Sequence, residues 1–180
     1  MEERQGDKRL ASFGGSEPLS LKEITHGTHS RFTTGIGELD RVLGGGVVNG
    51  AVILIGGDPG IGKSTLIIQA MDNLSRLYGK VLYVSGEESP EQVKLRSLRL
   101  GITSDGIVIF SETLIESIIK QALTLRPKAL VIDSIQTVYT EEMLSAPGSV
   151  GQIRESAAKI MFLAKKTGIP VFIIGHVTVS

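Results

Sequence analysis

From Phe32 onward, short runs of Val, Ile and Leu alternate with longer segments whose apolar residues recur at helical spacing. The short runs, at 51–56, 80–85, 106–110, 128–133 and 170–175, lack the polar alternation of a strand with one wet face. They read as strands buried on both faces. The longer segments, at 63–78, 90–100, 112–125 and 150–167, read as amphipathic helices; in the last, Ile153, Ala157, Ile160, Met161 and Ala164 trace one apolar stripe. Gly79, Gly101, Pro127 and the stretch 168–170 punctuate the passage from helix to strand. Strand and helix in alternation, without any solenoid-length repeat, predict an α/β fold: a doubly wound, mostly parallel sheet with helices on both faces. Such sheets bind ligands beyond the carboxyl ends of their strands. Here those ends are Gly56-Gly-Asp, Ser85-Gly-Glu-Glu, Asp133-Ser and Gly175-His-Val-Thr, so polar and acidic groups collect at one edge.

Residues 1–31 break this pattern. They are polar, with Gly14, Gly15 and Pro18 and few core-forming side chains, and read as a flexible arm ahead of a single domain at 32–180. The 180 residues balance 19 Lys and Arg against 19 Asp and Glu, which gives no electrostatic footprint for nucleic acid. The absence of cysteine excludes disulfides, a thiol nucleophile and thiolate metal sites. The apolar runs fall short of the roughly 20 residues of a membrane span, and the chain opens on polar residues rather than a secretory signal, so a cytoplasmic location is expected.

The clearest chemistry is Gly57-Asp58-Pro59-Gly60-Ile61-Gly62-Lys63-Ser64, between a predicted strand and a predicted helix. It fits the phosphate-binding pattern G-x-x-x-x-G-K-S/T. The glycines let successive N–H groups wrap an anion at the positive end of the helix, Lys63 reaches the β and γ phosphates, and Ser64 ligates magnesium. ATP and Mg2+ are the implied cofactors. Asp133 ends an apolar strand, as the acid that holds the water shell of the magnesium ion does, although an acid there also serves as a helix cap. Glu87 and Glu88 follow another strand; either suits the general base that orients an attacking water, Glu87 first because it is nearer the strand end, while acids at a helix start are favourable in any case. His176 and Thr178 sit where a γ-phosphate is sensed, or form a satisfied polar pair. His26 and His29 have no third partner in sequence and read as solvated. The stretch 140–151 is long for a connection without a use and predicts a mobile functional loop. Arg154, Lys159, Lys165 and Lys166 beyond it suit phosphates or simply a wet helix face, and Lys94 and Arg96 suit either adenine or a solvated helix face.

The blocks 31–46, 54–66, 83–89, 131–137, 145–149 and 175–178 together resemble the bacterial RadA (Sms) family of DNA repair proteins, over about residues 19–178. The resemblance implies a RecA-like P-loop ATPase core that acts with single-stranded DNA and recombination intermediates, promoting branch migration as a homo-hexameric ring. It assigns Gly57 to Thr65 to ATP, Asp133 to magnesium and Glu87 to catalysis. Ser145, Ser149 and Arg154 fall in the first DNA-facing loop, and His176 leads into the second. Family members also carry a four-cysteine zinc finger, a Lys-Asn-Arg-Phe-Gly block and a Lon-protease-like domain, none of which this sequence contains. The expectation is a domain truncated at its C-terminal end, binding nucleotide with weak or no hydrolysis. Two other readings compete: a KaiC-like nucleotide-driven switch that touches no DNA, and a nucleotide-binding interaction module without turnover.

Overall fold

The computed structural model describes residues 17–24 and 30–177. Its centre is a five-stranded sheet in the order β3-β7-β6-β4-β5, all pairs parallel, built from β3 (Val52–Gly57), β4 (Val81–Ser85), β5 (Ile107–Ser111), β6 (Leu130–Asp133) and β7 (Val171–His176). Alternate residues of these strands enter two separate cores, as the two-residue period of a strand requires. Leu82, Val84, Leu130, Ile132, Val171 and Ile173 pack against α4 (Ile115–Leu125) and α5 (Val150–Thr167) on one face. Val81, Tyr83, Val131, Phe172 and Ile174 pack against α2 (Lys63–Tyr78) and α3 (Pro90–Arg99) on the other. This is the doubly wound α/β architecture that the alternation predicts.

Burial on both faces holds for β4 and β6 throughout and for β7 up to its last residue, but not for β3 and β5. These two are the edges of the sheet among the described residues, and an edge strand gets cover from only one flank; Leu54 of β3 is 68% exposed. An apolar run cannot distinguish an edge position from a central one.

Local signals set the helix ends. Ser89 caps α3 in a reciprocal capping box with Gln92, with Pro90 in the first turn, and Ser149 caps α5 by accepting from the Gln152 N–H. Helix α4 starts three residues later than its periodicity suggests, because the Glu112 carboxylate accepts from the N–H groups of Thr113 and Leu114 and holds that segment in a turn. Ahead of the sheet lie a short antiparallel pair, β1 (Arg31–Phe32) and β2 (Val47–Val48), and between them α1 (Gly37–Val42). Arg31, placed with the arm by composition, pairs with Val48. The Phe32 ring meets Tyr78 of α2 edge-on at 4.8 Å and anchors this element to the domain.

Candidate nucleotide site

Strand β3 and helix α2 are joined by 58–62, and the joint is shaped by Gly62. Its φ of 101° is left-handed, a conformation that glycine adopts at little cost. No side chain caps α2, so its first N–H groups face outward at the positive end of a 16-residue helix, as anion binding needs. Asp58, Pro59, Gly60, Ile61 and Gly62 are exposed, Ser64 and Thr65 half-buried in the first helical turn. Lys63 is buried, and its Nζ donates to the carbonyls of Gly57 at 2.7 Å and Asp58 at 2.6 Å. An ammonium has three protons; two brace the loop and the third is left for a phosphate.

Asp133 ends β6 opposite Ser85 of β4, on the same side of the sheet as Val131 and therefore on the side covered by α2. Buried Tyr83 donates its hydroxyl proton to Asp133 Oδ2. Burial, and then the Asp133 charge, push the Tyr83 phenol far above its ordinary value, so that it is a neutral donor. For magnesium the residues present fit as hard oxygen donors: one carboxylate, Asp133, and one hydroxyl, Ser64. No cluster of three or more His, Asp or Glu suited to a metal occurs among the described residues. One or two protein oxygens completed by phosphates and water is the usual way this ion is held.

The two glutamates separate in role. Glu88 is tied down: Arg96 Nη2 and Nε reach its carboxylate at 2.9 and 3.3 Å, and its N–H donates to the Ser85 hydroxyl. Glu87 has its side chain 55% exposed, accepts from the Ser134 hydroxyl at 3.2 Å and lies 3.5 Å from His176 Nε2. His176 is itself clamped by Gln136, which donates to its carbonyl at 2.9 Å and accepts its N–H at 3.2 Å. The strand ends meet closely here: a Cβ on Gly86 would lie 1.9 Å from the Thr137 hydroxyl, and the Gly86 N–H donates to the Asp133 carbonyl.

The connection at 140–149 is pinned rather than loose. Gln152 of α5, 1% exposed, accepts from the Thr140 N–H and donates to the carbonyls of Thr140, Met143 and Ser145, while Lys159 pairs with Glu142 at 2.9 Å. Ser145 and Arg154 are exposed, whereas the Ser149 hydroxyl is used as the α5 cap. These residues stand on the loop and the helix after it, and the loop approaches Gln136, which holds His176: a Cβ on Gly148 would lie 3.4 Å from the Gln136 carbonyl oxygen. Arg96, a candidate for adenine by sequence, directs Nε and Nη2 to Glu88 and Tyr83, and its buried Nη1 has no partner among the described residues; Lys94 is exposed. Thr178, His26 and His29 lie outside the described residues. Sequence reasoning passed over Tyr83, Gln136 and Gln152. A tyrosine in an apolar strand reads as core and a glutamine on a helix as solvated, and only their partners in space, Asp133 for Tyr83, His176 for Gln136 and the 140–149 connection for Gln152, reveal otherwise.

Comparison with known proteins places this geometry. A family model described as "ATPase: KaiC" matches residues 32–108, the stretch holding the phosphate loop and both glutamates. The chain is 52% identical over 159 residues to the DNA repair protein RadA of Pseudomonas aeruginosa, covering 88% of this chain and 35% of that protein. It is 51% identical over 175 residues to RadA of Bacillus subtilis, covering 94% of this chain and 38% of that protein. It is 49% identical over 165 residues to RadA of Halalkalibacterium halodurans, covering 92% and 36%. The chain thus spans little more than a third of the length of these relatives.

Proposed function

Because the chain is homologous to the bacterial RadA proteins along nearly all its length, we propose that it is the ATPase core of a DNA repair machine, hydrolysing ATP in response to single-stranded DNA. The observation that carries this reading is the meeting, at one sheet edge, of the Lys63 loop, the Asp133 carboxylate and the exposed Glu87 between Ser134 and His176. The loop from Gly57 to Thr65 wraps the phosphates with N–H groups, and Lys63 donates a hydrogen bond from its third ammonium proton to a phosphate oxygen while the other two brace the loop carbonyls. Ser64 and Asp133 would hold magnesium, which would offset the phosphate charge. Glu87 orients the attacking water and takes its proton as the water oxygen bonds to the γ-phosphorus and the bond from that phosphorus to the β–γ bridging oxygen breaks, releasing ADP. His176, held by Gln136, reads the γ-phosphate through its contact with Glu87. DNA and recombination intermediates meet the 140–149 connection with Ser145 and Arg154, and the working form is a homo-hexamer engaged in branch migration. The KaiC-type family match keeps a second reading in play, a nucleotide-driven switch indifferent to DNA.

The test is magnesium-ATP binding and turnover with and without single-stranded DNA, on this chain and on Lys63→Ala, Glu87→Gln and Glu88→Gln. The reading expects DNA to accelerate turnover, Lys63→Ala to lose ATP binding, and Glu87→Gln to bind ATP while slowing about a hundredfold or more. Glu88→Gln should slow it less. Turnover indifferent to DNA selects the switch, binding without turnover selects the interaction module, and a folded chain that does not bind ATP refutes the reading.

A further inference from the structure

Tyr83 lies two residues before the end of β4, fully buried in the core beneath α2 and α3, with its hydroxyl at the functional edge of the sheet. A phenol has one proton to give and lone pairs to accept with. Arg96 of α3, which can only donate, offers Nη2 to the phenol oxygen at 3.4 Å and sets its guanidinium 6.0 Å from the ring centroid. With the oxygen thus engaged as acceptor, the phenol proton is directed to Asp133 Oδ2. Arg96 is in turn held by the two-pronged contact with Glu88 at 2.9 and 3.3 Å. The result is a chain of contacts, Glu88 to Arg96 to Tyr83 to Asp133, running from the start of α3 to the end of β6.

We propose that Tyr83 is a positioning residue for Asp133: it saturates one carboxylate oxygen and fixes the carboxylate rotation so that the other faces the metal and its water shell, with Arg96 orienting the phenol. The inference rests on the reading of Asp133 as the magnesium acid. Without the phenol, a carboxylate at a strand end swings about its last torsion, which is broad and weakly restrained. Partners that orient a ligating carboxylate in this way typically govern metal affinity by ten- to a hundredfold. The same relay explains why Glu88 stands apart from Glu87 although the two are neighbours in sequence: it anchors the arginine that steers the phenol.

Tyr83→Phe fills the same core space and removes only the hydroxyl. The measurement is the affinity for a fluorescent ATP analogue in EDTA and in excess magnesium, the ratio of the two being the tightening due to the metal; Asp133→Asn is run beside it. Tyr83→Phe should bind within about twofold of the unaltered chain in EDTA and lose about tenfold of the magnesium tightening, as Asp133→Asn does. Arg96→Met, which keeps the phenol but not its orientation, should lose a smaller part. Full tightening in Tyr83→Phe while Asp133→Asn loses it overturns the role of Tyr83 and leaves Asp133 in place. Equal weakening with and without magnesium also overturns it, since that is the mark of a merely structural tyrosine. Tightening retained in Asp133→Asn, or absent from the unaltered chain, overturns the reading of Asp133 and the relay with it. If Tyr83→Phe does not fold, Arg96→Met decides: reduced tightening supports the relay and unaltered tightening overturns it.

Discussion

Replacing Gln152 by leucine tests whether the 140–149 connection is held by one side chain. The amide makes four contacts: it accepts from the Thr140 N–H at 2.9 Å and donates to the carbonyls of Thr140 at 3.1 Å, Ser145 at 2.9 Å and Met143 at 3.4 Å. Ser145 is exposed, so water replaces that bond at little cost, and the Met143 contact is long. Thr140 is fully buried, and leucine leaves its N–H and carbonyl facing an apolar group. An unsatisfied buried backbone group costs about 1–3 kcal/mol, so two of them, partly relieved by local relaxation, cost about 3 kcal/mol. Urea unfolding of Gln152→Leu should show that loss at unchanged m-value, and hydrogen exchange should quicken across 141–149 before it does in β4 or β6. A loss below about 0.5 kcal/mol with unaltered exchange in the loop would refute the reasoning, because the bonds around Thr140 would then be replaceable by water. Lys159 holding Glu142 is a second, more exposed tether, and breaking it alone should cost less than about 1 kcal/mol.

Gly86→Ala puts a Cβ 1.9 Å from the Thr137 hydroxyl and 2.6 Å from its Cβ, so the end of β4 or the turn after β6 must move; a loss of about 2 kcal/mol or more in urea unfolding is expected. Glu116 supplies an acid-sensitive element. Burial on its own would raise its pKa, but the hydrogen bond from Thr140 at 2.5 Å and the charge of Lys159 at 3.4 Å outweigh this and hold it below the ordinary value of 4.5. A carboxylate depressed on folding stabilises the protein fully above its unfolded pKa, and that contribution disappears as pH falls below 4.5 through the folded value. With a side chain 38% exposed the effect stays under about 1 kcal/mol. Unfolding free energies between pH 6 and 3 should show Glu116→Gln with a shallower acid limb than the unaltered chain; equal slopes would dismiss the contribution.

The phosphate loop was legible because its requirements are local. Gly62 must turn left-handed, Lys63 must open a helix, and a strand must precede them, all within a dozen residues. The helices α2 and α5 emerged with the bounds their periodicity predicts, since an apolar stripe at 3.6-residue spacing and a capping serine or a closing glycine are written in neighbouring positions. The sheet itself followed from runs of Val, Ile and Leu, but not its order. Nothing in β3 or β5 differs in kind from β4 or β6, so which strands stand at the edge was settled only by how the crossovers packed.

The side chains around the site divide the same way. Asp133, Glu87, Glu88 and His176 could be named from their places at strand ends, because parallel strands deliver those ends to a common edge. Their surroundings are set by partners 8 to 50 positions away in the chain: Tyr83 on Asp133, Arg96 on Glu88, Gln136 on His176, Ser134 on Glu87. A hydrogen bond acts across 3 Å of space and leaves no periodic trace along the chain. The sequence by itself therefore determined the five strands of the sheet, the four helices that cover it, the glycine-rich turn before α2 and the edge where polar groups collect, but not the short elements β1, α1 and β2. Only the tertiary structure decided which glutamate stays exposed, which is tied to an arginine, and which buried tyrosine donates to Asp133.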